Sequence, residues 1–143
     1  KKSIQAYNKV IAIKPGEGSA YYYRARAKSY LAKDNQQSDA DREKNLLGAI
    51  VDFTKAIAID PNDTQNNTKF YQNRAIAYRE YGEFKLQANT HFYDKNRGIN
   101  SSKASINDFQ KVLTDNPNRT DISSLMATVN TKLTVATTTS ARH

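Results

Sequence analysis

Three stretches of the chain carry nearly the same thirteen residues, and each closes on a proline: SIQAYNKVIAIKP at 3–15, AIVDFTKAIAIDP at 49–61 and SINDFQKVLTDNP at 105–117. No other proline occurs. In the middle copy Ala49, Ile50, Phe53, Ala56 and Ile57 recur at the i, i+3, i+4, i+7 spacing of a helix with one buried stripe. Pro61 cannot continue that helix and disfavours helical geometry at Asp60, so the helix must stop there. All three copies keep an aromatic (Tyr7, Phe53, Phe109) and a lysine two residues on (Lys9, Lys55, Lys111). Each opens on a small residue (Ser3, Ala49, Ser105), where a neighbouring helix has to come close.

A second unit repeats at a different offset. YYYRARAKSYLA at 21–32 matches YQNRAIAYREYG at 71–82, sharing Tyr21/Tyr71, Arg24/Arg74, Ala25/Ala75 and Ala27/Ala77. Two helix types therefore alternate: an A type near 19–33 and 67–82, and a B type near 2–14, 45–59 and 103–115. Tyr21, Tyr71 and Tyr78 stand at packing positions. The recurrence of Arg24 and Arg74 points to a structural ion pair or stacking role. Gly82 suits a helix C-cap.

This alternation resembles the tetratricopeptide repeat family, whose 34-residue helix–turn–helix units stack into a solenoid. The family's sequence of aromatic, small and proline positions reads here as Tyr71, Ala75, Tyr78, Ser105, Phe109, Val112 and Pro117. The preceding repeat reads Tyr21, Ala25, Lys28, Ala49, Phe53, Ala56 and Pro61, with Lys28 where the family has an aromatic. The fold implied is all-α: a TPR-like α-solenoid of antiparallel helix hairpins, about two full repeats with a leading B helix and a C-terminal capping helix. Repeat units fall near 1–15, 19–61 and 67–117. A capping helix is expected at 120–133, with Ile122, Leu125, Met126, Val129 and Leu133 on one face and Asp121 as its N-cap. Residues 134–143 lack helical periodicity and read as a disordered tail.

The spacing departs from the family. Its copies stand 46 and 56 residues apart rather than 34, leaving insertions near 33–48 and 85–104. In solenoids such insertions become loops or helix extensions at one edge. The first B helix also has no preceding A partner, the expectation for a piece of a longer protein or for a different packing of that end.

Chemistry is sparse. The chain has two histidines, no cysteine, no Gly-rich phosphate loop and no nucleophile motif, so no catalytic constellation, metal site or cofactor is expected. No run approaches the 18 apolar residues of a membrane span. What remains is a binding surface. The family resemblance puts the A helices along a concave groove. Carried over by position, the groove residues are Ser19, Tyr22, Tyr23 and Arg26, then Lys69, Gln72, Asn73, Ile76 and Arg79. The set is cationic and aromatic, which favours a protein or peptide partner bearing acidic or carboxylate groups. Lys69 and Asn73 also resemble the Lys-x-x-x-Asn pair of the subfamily that clamps a C-terminal carboxylate, while Tyr23 departs from that clamp.

The net charge of +8 is uneven: +7 over 1–33, −4 over 34–64 and +4 over 65–119. A basic helical repeat for nucleic acid is an alternative function, opposed by the acidic middle segment. An accessory domain of a larger enzyme or assembly is another.

Overall fold

The computed structural model describes residues 4–138. Among them lie six α-helices and no strand: α1 (Ile4–Ile13), α2 (Gly18–Ala32), α3 (Asp39–Ile59), α4 (Thr64–Lys85), α5 (Lys95–Asp115) and α6 (Thr120–Thr138). Each packs against the next in sequence, and α2 also touches α4. None is long and apolar enough to cross a membrane. Helices α1, α3 and α5 are the three copies of the repeated segment. Each ends two residues before its proline.

The core lies in two linked clusters. Ala49, Phe53 and Ala56 of α3 pack with Tyr22 and Ala25 of α2 and Phe70 of α4. Phe109 and Val112 of α5 pack with Ala75 of α4 and Ile122 and Val129 of α6. The small openers of two copies, Ala49 and Ser105, are fully buried at helix crossings, and Ser105 Oγ donates to the Ala75 carbonyl (2.7 Å). Ser3 lies outside the described residues.

The repeated arginines form forks. Arg24 of α2 grips Asp52 of α3 (Nε–Oδ2 2.8 Å, Nη2–Oδ1 2.7 Å) and donates through Nη1 to Asn8 of α1 (2.7 Å). Arg74 of α4 grips Asp108 of α5 (2.7 and 2.9 Å) and donates to Thr54 of α3 (3.1 Å). Asn8 and Thr54 hold the same place in successive copies, as do Asp52 and Asp108. One guanidinium thus ties three consecutive helices, twice. Burial alone would raise the Asp52 carboxyl; hydrogen bonds from Arg24 and Lys28 outweigh it and hold the group below its ordinary range. Lys28, which stands where the later copy has Tyr78, pairs through its ammonium with Asp52 (2.9 Å). Its stem runs over Gly48, where an added Cβ would sit 3.0 Å from Lys28 Cδ.

Tyr21, Tyr71 and Tyr78 are partly buried at the edge of the core rather than inside it. Tyr21 lies beneath Arg24 and Lys55, and Tyr71 beneath Arg74 and Lys111, at 5.1–5.8 Å. The lysine that recurs in each copy has this use in copies two and three.

The insertions are largely helix. The first extends α3 back to Asp39, six residues before the expected start, with the Ser38 hydroxyl accepting from the Asp41 N–H as N-cap (3.1 Å). Arg42 on that extension donates to the Ala32 carbonyl (3.0 Å) and so covers the end of α2. Its neighbour Glu43 pairs with Lys85 at the end of α4. The second insertion lengthens α5 back to Lys95, capped by Asp94 (Arg97 N–H to Oδ1, 3.1 Å). Phe92, in the remaining loop, packs on Phe84 (5.4 Å).

Three local expectations change. Gly82 is not a C-cap, because α4 runs on to Lys85. It sits where α5 crosses, and a Cβ there would meet Ser102 Oγ at 2.8 Å and the Gly98 carbonyl at 3.2 Å. Asp121 lies inside the first turn of α6, gripped by Arg119 (3.0 and 2.8 Å), rather than at its N-cap. Residues 134–138 are helical, not a tail. Thr134, Thr137 and Thr138 return their hydroxyls to carbonyls of the preceding turn, which satisfies polar groups without an apolar stripe. The rest of the expected tail, 139–143, lies outside the described residues.

Candidate functional site

A groove of about 1050 Å³ opens between α1, α2 and α4. Helix α2 supplies Tyr23, Arg26 and Tyr30, α4 supplies Asn73, Ile76 and Glu80, and α1 supplies Tyr7. Lys33, just past α2, stands at its edge. On α2, Ala20, Tyr22, Ala25 and Ala32 are buried, while Tyr23, Arg26 and Tyr30 are exposed.

Of the residues expected along the groove, Tyr23, Arg26, Asn73 and Ile76 line it together. Tyr22 does not: only 7% of it is exposed, and its ring packs on Phe53 and Phe70 at 5.9 and 5.0 Å. It forms a floor beneath the cations instead. Lys69 is not on the groove lining either, but its ammonium lies over the Tyr22 ring at 5.1 Å, as the Arg26 guanidinium does at 5.7 Å. Asn73 Nδ2 reaches the Tyr22 hydroxyl at 3.4 Å. Gln72 is taken up elsewhere, its Oε1 accepting from Arg119 Nη2 (3.1 Å). Arg79 faces a second cavity beside α6. Ser19 bonds Glu17 at the start of α2 (3.1 Å).

Aromatic faces and cations dominate the site. Tyr7 and Tyr23 stack with centroids 6.1 Å apart and planes 21° from parallel. Neither Arg26 nor Lys69 has a carboxylate partner among the described residues. A cation over a buried ring is held in position by the ring's negative face, yet its outward side stays available. Among the described residues the one acid lining the groove, Glu80, sits between Lys33 (3.7 Å) and Arg79 (3.9 Å). Burial pushes its carboxyl above the ordinary range, opposed by those two cations.

Sequence reasoning missed Tyr7, Tyr30 and Lys33, and placed Glu80 only near the groove set. Tyr7 carried a signal: it stands where the later copies have Phe53 and Phe109, both almost fully buried. A hydroxyl at that place needs water or a partner, so tyrosine there marks a wetter wall. Among the described residues, no three histidine, aspartate or glutamate side chains converge as metal ligands do. Comparison with protein families, with curated proteins and with solved structures found no match.

Proposed function

We propose that the chain is a protein-interaction module of tetratricopeptide-like build, and that its groove holds an acidic segment of a partner protein. Each A-type helix packs between two B-type helices, and the same arginine fork recurs at two levels, as a stacked repeat requires. The observation that carries the function is the pair Arg26 and Lys69, seated over one buried tyrosine ring and left without carboxylates. An acidic side chain entering between them meets two positioned donors and flanking tyrosine faces, with little side-chain ordering left to lose.

The test is a peptide array of ten-residue Asp/Glu-rich segments set against Asn/Gln controls of the same sequence. Acidic segments bind and their amide controls do not. Arg26→Glu with Lys69→Glu weakens binding by tenfold or more while the helical signal is unchanged. Equal binding of the amide controls, or full binding by the double reversal, contradicts the proposal.

The Tyr7–Tyr23 stack favours one second reading, a platform for the bases of a single strand. Glu80 in the groove and the acidic 34–64 stretch oppose it. Binding of random oligonucleotides that collapses between 50 and 200 mM salt, on the scale expected of phosphate contacts, would transfer the function to that reading.

A further inference from the structure

The second cavity, about 570 Å³, lies between the end of α4, the α4–α5 connection and α6. It is built from the departures from a regular repeat. Leu86, Tyr93 and Lys95 come from the insertion, and Val135 comes from the part of α6 beyond residue 133. Its volume is in the range of sites that enclose a small molecule.

One wall is Arg79. Its Nε is buried and has no hydrogen-bond partner. Its nearest carboxylate, Glu80, stands at 3.9 Å, beyond hydrogen-bonding reach. Arg24, Arg42, Arg74 and Arg119 all donate hydrogen bonds, most of them as forks. Arg79 donates none among the described residues. The Nε–H is desolvated and unmet, at a cost in free energy, while the side chain as a whole is 24% exposed, so the guanidinium can still pair with a carboxylate. Lys95 and Lys132 add positive charge to the same cavity, and its single acid, Glu83, is already paired with Lys132 (2.7 Å). Leu86, Ala88, Val129, Val135 and Ala136 make an apolar part of the wall, with Gln87, Ser102 and Thr131 also on the lining.

We propose that this cavity binds a small free carboxylate with an apolar body, its carboxylate on the Arg79 guanidinium and its body against Leu86, Val129 and Val135. The site is separate from the groove and does not depend on the groove's function.

The probe is octanoate, with acetate and octanol as controls for tail and charge. Calorimetry and methyl chemical shifts are read on the full chain. Octanoate saturates, shifting Leu86, Val129 and Val135, and acetate and octanol bind at least tenfold more weakly. Arg79→Gln loses at least tenfold. Glu83→Gln tightens binding severalfold, because it frees Lys132 and removes the negative charge from the cavity. Absence of saturable octanoate binding, equal binding of octanol, unchanged affinity in Arg79→Gln, or saturation only by an acidic peptide would each overturn the assignment.

Discussion

Arginine decides most of what single residues do in this chain, and its partner decides which role it takes. Arg24 and Arg74 are structural, since each fork satisfies a buried aspartate and spans three helices. Removing the carboxylate strands a partly buried guanidinium: Asp108→Ala should cost roughly 2–4 kcal/mol in denaturant unfolding, below the full range for breaking a wholly buried pair from one side. A loss under about 1 kcal/mol would mean the fork is solvated. Two acids leave opposite traces in the pH dependence. Asp52 is held below its ordinary range, so its contribution is present above that range and is lost as pH falls through its folded value. Glu80 is raised, so the folded state favours its proton and stability declines as pH climbs from the ordinary carboxylate range through the raised value. Glu80→Gln should therefore raise stability at neutral pH relative to wild type and flatten that decline; an unchanged pH profile would contradict it.

At the scale of elements, what could be read in the sequence divides sharply between helix ends and helix starts. The prolines Pro15, Pro61 and Pro117 forbid continuation, and α1, α3 and α5 all stop two residues short of them. α3 and α5 start six and eight residues before the 45 and 103 that the sequence pattern predicts, because their first turns are polar and carry no hydrophobic period. The local chemistry was present, in Ser38 and Asp94 as caps, but a cap without an apolar stripe behind it is easily passed over. Ser38→Ala should cost about 1 kcal/mol and loosen Arg42 and Glu43, seen as faster amide exchange over the first turn of α3. Gly82 shows the converse problem: glycine marks a helix end or a close approach, and only the position of α5 decides which. Gly82→Ala gains about 1 kcal/mol of helix propensity yet drives a methyl into Ser102 and the Gly98 carbonyl. The net effect should be a loss of about 1–3 kcal/mol, and a rise in melting temperature would contradict the close crossing. The groove was half legible for a related reason. Helical position identifies which residues share a face, as for Tyr23, Arg26, Asn73 and Ile76. It does not say which large side chain folds inward, as Tyr22 does, or which neighbour diverts Gln72 and Arg79.

At the scale of the whole molecule, repetition supplies the frame and irregularity supplies the surfaces. The recurrent residues, Phe53 and Phe109, Asp52 and Asp108, Arg24 and Arg74, are spent on holding the helices together. The residues that break the pattern face the two cavities: Tyr7 where the other copies have phenylalanine, and the 85–104 insertion with the extended α6. On this account the groove between α1, α2 and α4 is where a partner is held. The most direct measurement is a backbone amide chemical-shift map of the isotope-labelled chain, titrated with the tightest acidic peptide from the array. The account predicts saturable shifts concentrated at Tyr23, Arg26, Lys69, Asn73 and Ile76, abolished by Arg26→Glu with Lys69→Glu. Shifts confined to the outer faces of α3 and α5, or an undiminished map in the double reversal, would contradict it.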